Sequence, residues 1–224
     1  MVWQEEKPFV APDDIVDLSF RINCKCLPIE HAHTLSRALH EALPWLGKDD
    51  RVGIHLVHVA ESGNGWMRPV DAENDLLLLS RRTRMTLRLP KDRLDEARQL
   101  KGVTLDIDGY SLEVSDSSVR ELSISTTLFS RYIIADEEES EQVFTASVVS
   151  ELGGMGIPVR KLLCGRTHTL NFPDRKVFTR SLMIADLEPE QSVKLQQVGL
   201  REGRKYGCGL FIPHKGIDPV GSMK

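Results

Sequence analysis

Apolar and polar residues alternate at 15–22 and again at 83–89, and this period of two predicts β-strands with one buried face. Within 31–46, leucines recur at helical spacing, which predicts an amphipathic helix whose last turn Pro44 distorts or ends. A hairpin is expected across Asp108-Gly109 because this dipeptide favours tight turns. The other elements predicted in the first half are strands at 52–59, 75–80, 103–107 and 111–114 and a helix at 90–100.

The second half repeats that order of elements. Its predicted strands lie at 127–135, 159–170, 176–185 and 208–212, and its helices at 141–152 and 188–198. Each half therefore follows the ferredoxin-like order of strand, helix, strand, strand, helix, strand. The sequence predicts an α+β fold of two tandem ferredoxin-like (RRM-like) βαββαβ domains, at residues 1–116 and 117–224, with a glycine-rich loop before the last strand.

Length and composition narrow the class of protein. The chain has 224 residues, 29 Lys+Arg, 33 Asp+Glu and a net charge of −4. No apolar run approaches the roughly 20 residues of a membrane span, and the N-terminus lacks a signal-peptide pattern, so we expect a cytoplasmic protein without a membrane partner. In such a protein, reduced thiols are expected for the four cysteines, which are Cys24, Cys26, Cys164 and Cys208.

Basic residues are segregated in spite of the acidic total. Residues 80–101 contain eight bases and three acids, and residues 156–224 contain twelve bases and six acids, whereas the acids concentrate at 136–141. Two basic regions are able to form a phosphate-binding track on a protein of negative net charge. Charge alone leaves open the alternative that both regions are ordinary solvated faces.

The segment 199–209 combines glycines with cations. Its glycines allow positive φ and close approach of backbone N–H groups to a phosphate, its cations add charge, and its tyrosine offers a ring for stacking on a base. It lacks the Gly-Lys-Ser/Thr of a Walker A loop and precedes a strand rather than a helix, which excludes a dinucleotide fingerprint. We therefore favour phosphate binding over a merely tight connection. The residues concerned are Gly199, Gly203, Gly207, Gly209, Arg201, Arg204, Lys205 and Tyr206.

Residues 199–215, which end in Gly-Cys-Gly-Leu-Phe-Ile-Pro-His-Lys, resemble the glycine-rich C-terminal signature of the CRISPR repeat-processing endoribonucleases of the RAMP superfamily, and in particular the myxobacterial-type branch. Shorter matches lie at 27–32, 53–55 and 80–81. The resemblance implies cleavage of CRISPR repeat RNA, expected as a stem-loop, without a metal or another cofactor. The upstream 2′-hydroxyl attacks the phosphodiester and leaves a 2′,3′-cyclic phosphate and a 5′-hydroxyl. Assembly with other subunits of a CRISPR effector complex stays open.

Histidine suits the proton transfers of that reaction because its pKa lies near neutral pH. The resemblance implies that the general acid or base lies on the first helix or just after it. His55 and His31 fall within matching stretches and are the first candidates, followed by His33, where relatives are expected to carry an aromatic residue. We treat His58, His168 and His214 as structural, although His214 belongs to the terminal motif.

Contacts with RNA are expected from both basic regions. Near the cleavage site the candidates are Arg201, Arg204, Lys205, Tyr206, Gly203 and Gly207, and a second contact region, expected along the flank of the repeat hairpin, comprises Arg81, Arg82 and Arg84. Arg37, on one helix face with His33 and His40, and Lys215 of the terminal motif complete the predicted RNA-binding set.

Other classes of function fit the sequence less well. Cys24-x-Cys26 with His31-x-His33 has a spacing that structural zinc seldom uses, so buried thiols are favoured and no metal site is predicted. A two-histidine phosphodiesterase needs His-x-Thr or His-x-Ser twice, and no histidine here has that pattern. A metal nuclease needs carboxylates on convergent elements, whereas the acids cluster at 136–141. A non-catalytic subunit that binds CRISPR RNA is the main alternative.

Overall fold

The computed structural model describes residues 9–58 and 76–214. In chain order its strands are β1 (Ile15–Asn23), β2 (Cys26–Pro28), β3 (Gly53–His55), β4 (Leu76–Leu78), β5 (Arg84–Pro90), β6 (Thr104–Ile107), β7 (Tyr110–Glu121), β8 (Leu128–Ile134), β9 (Lys161–Asn171), β10 (Lys176–Ala185) and β11 (Ile212–Pro213). Its helices are α1 (Ala32–Ala42), α2 (Leu94–Ala97), α3 (Glu141–Gly154) and α4 (Pro189–Val198). The fold is therefore α+β, as the sequence predicts.

The first sheet contains five antiparallel strands in the order β3-β5-β1-β7-β6. The alternation in β1 and β5 acts as predicted, because Leu18 and Leu87 are fully buried whereas Asp17 and Ser19 face the opposite side of the sheet. The Asp108-Gly109 turn joins β6 to β7, and both turn residues have positive φ. One face of this sheet is consequently apolar, and we name the other, which carries Asp17, Ser19 and Thr86, the open face.

Helix α1 belongs to the apolar core of the first sheet. Leu35 and Leu39 are completely buried in that core, as their helical spacing predicts. Pro44 follows the helix, and a 3₁₀ turn at Pro44–Gly47 replaces the last turn of the predicted helix. The helix predicted at 90–100 is also broken, into short 3₁₀ turns on both sides of α2.

The second sheet contains four antiparallel strands in the order β11-β8-β10-β9. Helix α3 begins at Ser140, whose side chain accepts a hydrogen bond from the Val143 N–H, and α4 begins with a capping box between Glu188 and Gln191. Both helices bury apolar side chains in one core with β8 and β10. The opposite face of the sheet is thereby left for polar residues.

Several strands differ from the sequence-based prediction: the sequence does not predict β2, and β7 extends well beyond the predicted strand at 111–114. β4 pairs with β2 in a separate two-stranded sheet and not with the main one. β3 is shorter than the predicted strand at 52–59, of which Val59 lies outside the described residues. β11 is reduced to two residues because Gly209, with a φ of 68°, turns the chain and donates its N–H to the Tyr132 carbonyl.

The cores of the two halves are distinct but meet. One core surrounds α1 and the first sheet, yet it includes Leu170 and Cys208 from the second half. The other lies between α3, α4 and the second sheet. The domain boundary expected after residue 116 falls inside β7, which continues to Glu121. Within the described ranges, no helix is long and apolar enough to span a membrane.

Candidate functional site

A cleft of about 690 Å³ lies between the end of β3, the polar face of the second sheet and the glycine-rich segment. From the first half it receives His55, Leu56 and His58, and from the glycine-rich segment Gly207 and Leu210. The remaining lining residues come from the second sheet or follow it; they are Phe129, Arg131, Tyr132, Gly165, Arg166, His168, Ser181, Ile212 and His214. Imidazole and guanidinium groups therefore border a cavity that both halves build.

Three aromatic rings line one wall of this cleft. The Tyr132 ring lies 6.0 Å from the His58 ring and 5.4 Å from the His168 ring, measured between centroids. Burial and the neighbouring charge of Arg131 lower the pKa of both histidines. Both imidazoles are consequently neutral at neutral pH.

The arginines of the cleft are available for a ligand. Arg131 is half-buried and Arg166 is exposed, and neither side chain makes a hydrogen bond or an ion pair within the described residues. A cleft with two such cations has the charge to bind a phosphate group. The sequence does not point to Arg131, Arg166 or the cleft position of His168. These residues belong to no common motif, and only the pairing of β8, β10 and β9 brings them together.

His55 lies where the first sheet meets the cleft. Its Nε2 is buried without a hydrogen-bond partner and lies 3.7 Å from Asp17 Oδ1, near enough for an electrostatic contact. Burial lowers the pKa of His55, and the Asp17 carboxylate opposes that effect only in part. Its ring is therefore neutral at neutral pH and stands beside a carboxylate that stabilises its protonated form.

Asp17 is in turn held by Arg88. The Arg88 guanidinium is fully buried and donates from Nε and Nη2 to the two Asp17 oxygens at 2.8 and 2.9 Å. Burial alone would raise the pKa of Asp17, but the charge of Arg88 outweighs it and holds that pKa well below its usual range. Arg88 Nη1 also donates to the carbonyls of Gln196 and Phe211 in the second half. This arginine thus fixes His55's neighbour and joins the two halves.

The glycine-rich segment forms part of the wall of the cleft. Gly203 and Gly207 have φ values of 86° and 83°, in the left-handed region that favours glycine. A Cβ on Gly207 would come within 2.6 Å of Leu56 Cγ, so the loop packs directly against the residue that follows His55. Its geometry therefore requires glycines at these positions, whatever it binds.

The cations of this segment are occupied by the protein itself. Arg201 donates to Glu151, Ser147 and the Ile134 carbonyl, and its guanidinium lies 5.0 Å from the Phe144 ring. Arg204 is buried and donates to the carbonyls of Val198 and Arg51. Burial lowers the pKa of Arg204 to about 10, which leaves it cationic.

Lys205 has a similar intramolecular partner. Its Nζ donates to the Gly47 carbonyl at 2.7 Å and lies 3.6 Å from Asp50. Arg201, Arg204 and Lys205, the three cations expected at the cleavage site, therefore all have partners within the protein. The structure does not bring Arg201 or Arg204 to the cleft. Tyr206 stays half-exposed, with its ring edge-to-face against Phe172.

The model of one protein family, described as Cas6 Crispr, matches residues 16–216. The chain belongs to the Cas6 family. It is 29% identical over 198 residues to the CRISPR-associated endonuclease Cas6 of Myxococcus xanthus, which covers 88% of this chain and 81% of that relative. This agrees with the resemblance found in the terminal motif.

Solved structures share the fold of this Cas6 chain. A CRISPR associated protein Cas6 matches with a TM-score of 0.61 at 9% identity, over 90% of this chain and 100% of the other. A RAMP protein that binds different RNA substrates matches with a TM-score of 0.62 at 12% identity, over 89% and 100%. Cse3 of Thermus thermophilus, bound to an RNA that represents a pre-cleavage complex, has a TM-score of 0.51 at 12% identity, over 88% and 98%.

His31, a first candidate for catalysis, has a different environment from His55. It is 2% exposed, and its Nε2 accepts a hydrogen bond from the Val57 N–H at 3.0 Å. Its Nδ1 donates to the Pro28 carbonyl at 2.8 Å, so both ring nitrogens are engaged by the backbone. This arrangement fits a residue that fixes the chain before α1 to the segment just after β3, and leaves neither nitrogen for a substrate.

We expect the substitution His31→Ala to lower the free energy of unfolding by about 2–4 kcal/mol, because it removes two buried hydrogen bonds. Burial lowers the pKa of His31, so the unfolded chain binds more protons as the pH falls below about 6.5, and wild-type stability decreases there. Urea unfolding at pH 7.5 and 5.5 measures both effects, with half-exposed His33→Ala as the control. Equal losses in the two variants would contradict the assignment.

The remaining predicted residues that the structure describes are exposed or partly exposed. His33 is half-exposed, with its ring 5.6 Å from that of Phe172, and Arg37 lies near Glu41 at 4.0 Å. Arg81 and Arg82 are exposed. Arg84 is half-buried and donates to the carbonyls of Arg81 and Thr83, whereas Lys215 lies outside the described residues.

The prediction that Cys24 and Cys26 are thiols rather than zinc ligands can be compared with their contacts. Both are half-buried, and Cys24 Sγ donates to the Cys26 carbonyl at 3.1 Å. In the part of the chain that the structure describes, no three His, Cys, Asp or Glu side chains are placed to hold one metal ion. His31, which a zinc site would share, is bonded to the backbone through both nitrogens.

Proposed function

We propose that this Cas6 chain is an endoribonuclease that cleaves CRISPR repeat RNA in the precursor transcript and releases mature CRISPR RNA. The cleft carries the proposal, because histidines and two arginines without internal partners among the described residues meet beside Gly207 of the family's terminal motif. The name of the Myxococcus relative, an endonuclease, supports the same activity. The substrate is expected to be a repeat stem-loop.

The architecture supports a tandem arrangement. We propose two ferredoxin-like units, with the boundary after Glu121, where β7 ends, rather than after residue 116. When the edge strand β6 and the separate pair β2 and β4 are left out and strands are numbered within each half, β3-β5-β1-β7 is the order 2-3-1-4, and β11-β8-β10-β9 is 4-1-3-2. The two strand orders are identical when one of them is read from the opposite edge of its sheet, as expected for two copies of one unit.

The geometry supports His55 as the general base. In our proposal Nε2 carries the proton that faces Asp17, and Nδ1 accepts the proton of the 2′-hydroxyl. The 2′ oxygen forms a bond to phosphorus, the bond from phosphorus to the 5′ oxygen breaks, and the departing oxygen takes a proton from water, to which the protonated His55 returns its own. The products are a 2′,3′-cyclic phosphate and a 5′-hydroxyl.

Charge stabilisation in this mechanism is assigned to Arg131 and Arg166. Their guanidinium groups border the same cleft as His55 and are able to neutralise the crowded phosphorane. Because the His55 imidazole and water supply the proton transfers and guanidiniums the positive charge, we propose that the reaction needs no metal ion.

Several arginines lie near the site, on the open face and in the turn that precedes β5. Arg84 lies directly opposite Arg21, and His55 lies opposite Thr86, two residues or about 7 Å along β5 from Arg84. We name Arg21, Arg81, Arg82 and Arg84 the arginine strip. We propose that it contacts the phosphates on the flank of the repeat hairpin, with Arg37 as a further surface contact.

The function is tested by incubating the chain with end-labelled repeat RNA in EDTA. Cleavage is expected to continue, and to stop when the nucleotide upstream of the scissile bond is 2′-deoxy, because the nucleophile is then absent. A requirement for Mg²⁺, or normal cleavage of the 2′-deoxy RNA, would contradict the mechanism. Tight binding of the repeat without cleavage would favour a non-catalytic RNA-binding subunit.

The arginine strip makes a separate prediction about binding. The double substitution Arg81→Ala/Arg82→Ala should weaken repeat-RNA binding and reduce the slope of log K against log salt by about 0.7–0.9 for each phosphate that is no longer neutralised. The matched control is Arg98→Ala/Lys101→Ala, since both cations are exposed but paired with Asp95 and Asp116. The slopes are measured by fluorescence anisotropy at salt concentrations from roughly 50 to 300 mM. Equal slopes for the two variants would exclude a phosphate contact at the strip.

A further inference from the structure

A second pocket, of about 590 Å³, lies on the other side of the glycine-rich segment from the histidine cleft. Its walls come from three parts of the second half: the end of β8, the turn between β9 and β10, and the glycine-rich segment. They contribute Ile134, Ala135, Asp136, Glu137, Phe172, Arg175, Lys176, Val177, Phe178, Glu202, Gly203, Tyr206 and Cys208. None of these residues borders the histidine cleft, so we describe this cavity separately as the aromatic pocket.

Flat aromatic surfaces form the apolar part of the aromatic pocket. The rings of Tyr206 and Phe172 stand perpendicular, at 88°, with centroids 4.9 Å apart. Phe172 is further covered by Arg175 at 5.5 Å and by His33, whereas Phe178 is half-buried with no ring contact in the described residues. Tyr206 and Phe178 are therefore the rings with surface left for a planar ligand.

The polar part of the pocket contains three carboxylates without a partner in the described ranges, those of Asp136, Glu137 and Glu202. Glu202 is exposed and makes no hydrogen bond or ion pair there. Burial and, in addition, the charge of Glu202 raise the pKa of Cys208, another lining residue, to about 12. Arg175 and Lys176 supply cations at the rim. A planar ligand with hydrogen-bond donors and an attached phosphate suits this combination.

We propose that the aromatic pocket binds one unpaired guanine of the RNA, stacked on Tyr206 and Phe178, with Glu202 accepting hydrogen bonds from its N1–H and N2–H. The inference rests on the proposed function in that the ligand is RNA. Guanine is selected because its Watson–Crick edge has two adjacent donors, which match the two oxygens of a carboxylate. Adenine and cytosine present a ring acceptor beside the amine, and uracil has one N–H between two carbonyls.

In this proposal, the pocket that selects the nucleobase lies next to the cleft where the RNA is cleaved but is separate from it. Gly203 and Tyr206 border the aromatic pocket, while Gly207 of the same segment borders the histidine cleft. One nucleotide held on the first side would therefore fix which phosphate reaches the second side. The glycine-rich segment would thus set the register of cleavage through a base rather than through its arginines, which have internal partners.

Short RNAs test this without knowledge of the repeat. Fluorescein-labelled nonamers of uridine with G, A, C, U or inosine at the central position are titrated against the wild-type chain. The guanine nonamer should bind about tenfold more tightly than the A, C and U nonamers, and inosine, which lacks the N2 amine, should lie between. Glu202→Gln should abolish this preference, whereas Asp174→Asn, an exposed acid outside the pocket, should retain it.

A second variant separates stacking from base selection. Tyr206→Ala should weaken all five nonamers to a similar extent, and Tyr206→Phe should restore their binding, because only the ring is required. No guanine preference in the wild type, no detectable nonamer binding, or a preference that survives Glu202→Gln would overturn the proposal. Repeat-RNA cleavage is scored separately, so an active enzyme without guanine preference rejects the pocket alone, and an inactive one with that preference rejects the proposed nuclease alone.

Discussion

The substitution His55→Ala should reduce cleavage of repeat RNA by roughly 10²- to 10⁴-fold, the range for loss of a general acid or base. The expected cause is local, because His55 borders the cleft while its Nε2 is directed toward Asp17. RNA affinity should change little, since Arg131 and Arg166 are untouched. Single-turnover rates measure the chemistry, and binding of a 2′-deoxy repeat RNA measures the affinity.

The pH dependence of the rate provides an independent check on His55. Burial lowers its pKa, so the neutral ring persists at neutral pH and the rate should fall only when the pH drops below the usual range of histidine. His40→Ala is the control, because His40 Nδ1 donates to the Ser36 carbonyl and the ring does not border the cleft. If His55→Ala cleaves at the wild-type rate, the base is to be sought among the other histidines of the cleft.

Local patterns are sufficient to predict most of the fold. The period of two locates β1 and β5, and the leucine spacing locates α1. The pairing of β4 with β2 has no such signal, because an apolar run of four leucines fits either sheet. The short β11 also escapes prediction, since a tertiary hydrogen bond from Gly209 to Tyr132 redirects the chain.

The candidate site is less predictable because long-range partners decide each residue's role. A basic glycine-rich segment suggests phosphate binding, yet Arg201 is paired with Glu151 on α3, 50 positions earlier. His31 and His55 both lie in stretches that match the family, and the Val57 N–H, bonded to His31 alone, distinguishes them. Arg88 belongs by sequence to a basic strand, although its side chain is fully buried.

Within β5, period-two alternation raises a question about Arg88. It falls on the polar side, between buried Leu87 and Leu89, in a strand that has neighbours on both edges. A cation in the middle of a sheet suggests an acidic partner on the adjacent strand, and Asp17 is its direct neighbour in register. The contacts with Gln196 and Phe211 cannot be inferred from sequence, because they depend on how the halves pack.

Replacing Arg88 with Met should lower the free energy of unfolding by about 3–5 kcal/mol, the range for breaking a buried ion pair from one side. The loss arises because Asp17 keeps its charge with neither of its Arg88 hydrogen bonds, and because the carbonyls of Gln196 and Phe211 lose their donor. The control is Lys91→Met, which removes an exposed ion pair with Asp13 and should leave the free energy of unfolding nearly unchanged. Urea denaturation at pH 7 measures both values.

Two further measurements assign the effect to the buried pair. Arg88 lowers the pKa of Asp17, so its stabilising contribution is present above the unfolded value of about 3.9 and is lost as the pH falls toward the folded value. The difference in unfolding free energy between the wild type and Arg88→Met should therefore become smaller at low pH, where Asp17 is neutral in the variant. Adding Asp17→Asn to Arg88→Met should restore part of the stability, because the unpaired charge is removed. If the loss of unfolding free energy in Arg88→Met does not depend on pH, and if the effects of Arg88→Met and Asp17→Asn simply add, Arg88 stabilises the fold by packing alone.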